Sequence, residues 1–173
     1  MMLPLRFPVA VVIECVPLTN RWASEQWRVA AVEGADDGPA DPVKLSDDEK
    51  GTRWRFVGHA MELHRSESEG YFLNITAPEP KIFVMWRMID SEDQAAGGPG
   101  ARPQLVTVSY NEAARLLDGG ERVDAVPLSP AILAWMQPFV AEHYKPEPKR
   151  KIRRNELYER DAMTHDGAPG QSP

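Results

Sequence analysis

A chain of 173 residues, 42% hydrophobic and 27% charged, is long enough for one domain with a real core and short for two. Its 16 prolines exclude a plain helical bundle, and a single cysteine, Cys15, excludes an internal disulfide framework and any multi-cysteine zinc site. The net charge of −6 is uneven, because Lys145, Lys149, Arg150, Lys151, Arg153 and Arg154 crowd one segment; the body is therefore acidic, which argues against nucleic-acid binding over its whole surface.

In chain order, the apolar run over 8–13 is too short for a secretory leader and is interrupted by Glu14. No stretch approaches the roughly 20 apolar residues that span a bilayer. The expected setting is the cytoplasm, which a lone cysteine fits. Val9, Val11, Ile13 and Cys15 share one face of an extended segment, with Ala10, Val12 and Glu14 on the other, so this strand is expected to be covered on both sides. A turn follows over 17–20, with Asn20 suited to a left-handed backbone. Within 22–32, Trp27, Val29 and Ala31 alternate with Gln26, Arg28 and Ala30, the pattern of a half-buried strand.

Over 33–51 the pattern dissolves into Gly, Pro, Asp and Glu, which predicts a solvated connection with a short turn near 46–49. Strand signals return at Trp54 and Phe56 and, after a bulge or bend at Gly58, at Met61 and Leu63. Residues 66–70 read as a turn. Tyr71, Leu73 and Ile75 then oppose Phe72, Asn74 and Thr76 in a strand that Pro78 and Pro80 end. Ile82, Val84, Trp86 and Met88 alternate with Phe83, Met85 and Arg87 in another. A flexible excursion over 93–103 leads to a last strand over 105–108.

Two helices are written after it. Ser109 with Glu112 forms a capping box, Ala113, Leu116 and Leu117 supply an apolar stripe, and Gly119-Gly120 is the stop. Ser129-Pro130 opens the second helix, in which Ile132, Leu133, Trp135, Met136, Phe139 and Val140 share a face and Pro138 predicts a kink or break. The expected fold class is α+β: an antiparallel β-barrel or sandwich of about six to seven short strands, followed by two C-terminal helices and a basic tail. Residues 1–144 form the expected β-rich domain and 145–173 a basic tail, partly helical or disordered.

No nucleotide-binding glycine motif, nucleophile elbow or P-loop is present. His59, Glu62 and His64 are the nearest approach to a metal cluster, but strand alternation sends the two histidines to opposite faces unless the bend at Gly58 continues; no metal and no cofactor are expected. Cys15 reads as a small buried hydrophobe. Trp54, Trp86 and Trp135 occupy core positions, whereas Trp22 and Trp27 flank a turn and serve either as core or as an exposed aromatic patch for a partner. Tyr144 and Lys145, together with Lys149, Arg150, Lys151, Arg153 and Arg154, complete the candidate partner-binding set. Such a segment is a solvated arm, a dock for an acidic protein or a nucleic-acid contact, and its scarcity of interleaved aromatics favours the first two.

The stretches PVAVVIE, PLTNRWASEQW, VTVSYNEAARLLDGGERVDAVPLSP and FVAEHYKPEPKRK resemble the bacterial family catalogued as domain of unknown function 3305. The resemblance spans most of the chain and brings no catalytic residues with it. Members tend to be encoded near molybdenum-dependent formate dehydrogenases and their assembly factors. It therefore implies a non-enzymatic cytoplasmic accessory or interaction protein, with a molybdoenzyme subunit or maturation factor as partner. The alternative is a nucleic-acid-binding regulator acting through the basic arm.

Overall fold

The computed structural model describes residues 5–38 and 41–146. Its elements are β1 (Arg6–Pro17), β2 (Glu25–Gly34), β3 (Val43–Asp48), β4 (Gly51–Glu62), α1 (Ser68–Ile75), β5 (Lys81–Met88), β6 (Ala101–Thr107), α2 (Tyr110–Asp118), β7 (Arg122–Pro127) and α3 (Pro130–His143). The strands form two antiparallel sheets, one of four strands in the order β2-β1-β4-β3 and one of three in the order β6-β5-β7. The fold is α+β, and the sheets do not close into a barrel.

β1 is central because it is apolar on both faces. Val9, Val11 and Ile13 join the core, while Ala10 and Val12 are buried on the opposite face, where Val12 lies between Ala31 and Arg55 in register. The bend expected at Gly58 is present: φ there is +89°, and the β1–β4 register shifts beside it, between Val9 and Val11. α3 closes the core with Ile132, Trp135, Met136, Phe139 and Val140, the Trp135 ring lying 5.3 Å from Phe7 and Phe139 lying 5.9 Å from Tyr71. Ser129 caps it as expected, but the helix continues through Pro138, which faces solvent.

Several expectations are corrected. Residues 68–75 are a helix, although their aromatic and β-branched composition reads as a strand. The buried residues Ser68, Tyr71 and Asn74 recur every third position, so tertiary packing overrides local propensity. β3 lies inside the stretch expected to be a solvated connection. It is exposed along nearly its whole length, so no burial periodicity marks it. β7 separates the two C-terminal helices expected to be consecutive, and β6 begins inside the expected flexible excursion. Asn20 is not left-handed, since no non-glycine residue among those described has positive φ. The capping box is half made: Ser109 Oγ accepts the Glu112 N–H at 3.1 Å, but the Ser109 N–H goes to Thr107 Oγ1. The expected tail beyond residue 146 lies outside the described residues.

Buried polar groups bind the helices to the smaller sheet. Asn74 donates to the carbonyls of Lys81 and Val108 and accepts the Lys81 N–H. Ser109, fully buried, donates to Glu67, which also pairs with Arg115. The Tyr71 hydroxyl accepts the His64 N–H and donates to the Glu62 carbonyl, fixing the exit of β4. On the other side, Asp124 of β7 accepts the outward Val29 N–H at 2.9 Å, so β2 is tied to the second sheet and β3 is left as the free edge of the first.

Candidate functional site

Glu14 is the sole charge between Phe7 and Pro17 on a strand otherwise committed to burial. A carboxylate in that position requires partners, because desolvating it alone is costly. The register supplies them, placing Glu14 opposite Arg28 on β2 and Arg53 on β4. Its two oxygens are divided between them: Arg28 Nε donates to Oε1 at 2.6 Å and Arg53 Nε to Oε2 at 3.1 Å. The Glu14 side chain is 13% exposed, against 52% and 55% for the arginines, so the cations lie outermost.

Burial pushes the Glu14 carboxyl up, but the hydrogen bonds and charges of Arg28 and Arg53 together outweigh it and hold it below the usual carboxylate range. The same three side chains line a cavity of about 420 Å³ with Ser46, Lys50 and Thr52. Gly51 makes the adjoining turn possible. Its φ is +129°, and a Cβ there would stand 2.1 Å from the Cys15 carbonyl oxygen.

The β1–β2 turn lies at the same end of this sheet, since Pro17 pairs with Glu25 and the neighbouring Cys15 pairs with Thr52. Asn20 Oδ1 accepts the N–H groups of Trp22 and Ala23, each at 2.9 Å, and the Leu18 N–H reaches the Ser24 carbonyl at 2.9 Å. These bonds fix a turn on which Trp22 is 91% exposed. Val43 and Leu45 are also exposed, on the free-edge strand β3.

The sequence-level candidates separate. Trp22 stands in solvent, whereas Trp27 is half-buried: its Nε1 donates to Glu25 at 3.4 Å, and its ring lies so close over Gly100 that a Cβ there would come within 2.8 Å. Tyr144 caps α3 with its ring 4.6 Å from Phe72, and the exposed Lys145 follows. Lys149, Arg150, Lys151, Arg153 and Arg154 lie outside the described residues.

Cys15 donates to Glu25 at 3.2 Å, and burial, reinforced by that carboxylate, pushes its thiol up to about 12, the reverse of what a nucleophile needs. His59 and His64 do reach one cleft of about 190 Å³ between β4 and β6, with His64 Nε2 3.6 Å from Glu62. Among the described residues no group of three or more His, Cys, Asp or Glu is placed to hold a metal ion.

Arg28, Lys50 and Arg53 escape a linear reading because only strand register joins them to Glu14. The available signal is Glu14 itself, a lone carboxylate inside an apolar strand. The arrangement predicts a pH effect. A carboxyl whose pKa is lower in the folded than in the unfolded chain stabilises the fold above its unfolded value, and loses that contribution as pH falls through the folded value. Glu14→Gln should therefore lower the urea midpoint at pH 7, and its difference from the parent chain should shrink as pH falls below about 4. A difference independent of pH would show that Glu14 acts by packing alone.

Among the described residues no helix is long and apolar enough to cross a membrane. A family model described as "Protein of unknown function (DUF3305)" matches residues 8–153. No curated protein and no solved structure matches the chain.

Proposed function

Because the chain belongs to the DUF3305 family, and because one end of its larger sheet displays an exposed tryptophan on a hydrogen-bonded turn, we propose that it is a non-enzymatic accessory protein that docks a protein partner there. The observation that carries this reading is Trp22, 91% exposed on a turn held by three hydrogen bonds. Burying an indole is among the larger single gains available to an interface, and a turn fixed beforehand reduces the ordering cost. The second contact in this reading is the C-terminal basic arm. The Phe72–Tyr144 ring contact sets where the chain leaves α3 toward it.

The partner we propose is a subunit of a molybdenum-dependent formate dehydrogenase, or a factor that matures one, in the cytoplasm. Affinity purification of the full chain from cells making such an enzyme tests the reading. The intact chain should enrich one of these proteins, and Trp22→Ala should reduce the recovery about tenfold or more. Equal recovery by both chains would remove Trp22 from the interface. Recovery of nucleic acid in place of an enzyme component, lost when Lys149, Arg150, Lys151, Arg153 and Arg154 are neutralised, would replace the reading with that of a nucleic-acid-binding regulator.

A further inference from the structure

We propose that the cavity beside Glu14 binds the oxyanion head of a small molecule, a phosphate or carboxylate group held between Arg28 and Arg53. This goes beyond partner docking and does not depend on it. Glu14 engages each guanidinium through Nε alone, and among the described residues their terminal nitrogens have no hydrogen-bond partner. A guanidinium aimed through Nε presents its remaining N–H donors in the fork that matches carboxylate and phosphate oxygens.

Lys50 adds a third cation to the lining, against two carboxylates, Glu14 and Asp48. The local balance is therefore positive in a chain of net charge −6. Asp48 is already used, accepting the Lys50 N–H at 2.8 Å and so holding the β3–β4 turn that walls the cavity. Ser46 and Thr52 supply hydroxyls to the same lining. Without Glu14, two long flexible cations would repel and spread; with it, both are ordered before a ligand arrives, and Glu14 stays ionised at neutral pH. The volume of about 420 Å³ is large enough to admit a small anion.

The test follows the Nε–Hε signals of the arginines of the full chain by NMR during titration with inorganic phosphate at constant ionic strength. The expected result is saturable shifts at Arg28 and Arg53, with a Kd on the order of 1 mM for a bare anion. Arg28→Gln and Arg53→Gln should each weaken binding about tenfold or more, while Arg6→Gln, paired with Asp37 elsewhere, should leave it unchanged. A parallel titration with acetate distinguishes a carboxylate head from a phosphate one. Non-saturating drift shared by all arginines would overturn the proposal, as would a response to an oligoglutamate peptide with none to phosphate or acetate. The titration of the unmodified chain decides even if a variant fails to fold.

Discussion

Asn74→Ala is expected to lower the stability of the fold by about 3–4 kcal/mol, a large share of the 5–15 kcal/mol typical of a domain. The side chain is 2% exposed and makes three bonds, donating at 2.7 Å to the Lys81 carbonyl and 2.8 Å to the Val108 carbonyl, and accepting the Lys81 N–H at 2.9 Å. It joins α1 to the start of β5 and to the chain leaving β6. Alanine removes one side chain and leaves three backbone groups without it, each costing about 1 kcal/mol or more when water cannot replace the partner. The urea midpoint should fall with little change in slope, and Tm should drop by roughly 6–15 °C. A midpoint equal to that of the parent chain would show that water satisfies these groups.

The second large effect belongs to Gly51. Alanine at this position meets a φ of +129° and a Cβ 2.1 Å from the Cys15 carbonyl oxygen, a backbone atom of an interior strand near one end of the sheet. Relief requires β1 and β4 to separate where Cys15 pairs with Thr52, so the expected cost is about 3 kcal/mol or more. Gly120 is the internal control. Its φ is +84° with nothing within 4 Å of a Cβ, and Gly120→Ala should cost only about 1–2 kcal/mol from backbone strain. Equal losses at the two sites, measured by urea unfolding, would mean that φ alone sets the cost and that the strands yield freely.

Much of this fold is legible because burial and period coincide. β1 shows apolar residues on both faces and becomes the central strand; Ser109 and Ser129 mark helix starts that the structure places where expected. The failures share one physical cause, that tertiary contacts leave no local trace. Residues 68–75 carry strand-like side chains, yet Asn74 finds its partners at Lys81 and Val108, and the helix follows that demand. β3 is an exposed edge, so its pairing with β4 is carried by backbone groups that every sequence has. At the candidate site, Trp22 is visible from its turn, but the Arg28–Glu14–Arg53 cluster is created by register across three strands.

Partner docking at the Trp22 end of the larger sheet is tested most directly by position-specific photocrosslinking. Trp22→p-benzoylphenylalanine and, as a reference, Leu117→p-benzoylphenylalanine are made in the full chain in cells producing a molybdenum-dependent formate dehydrogenase, the class of partner proposed. Leu117 is also exposed, but it lies on α2, an element of the smaller sheet's side of the fold. The expected result is a covalent adduct with a formate dehydrogenase subunit or maturation factor from position 22 and none from position 117. An adduct from 117 but not from 22, or none from either, would contradict it.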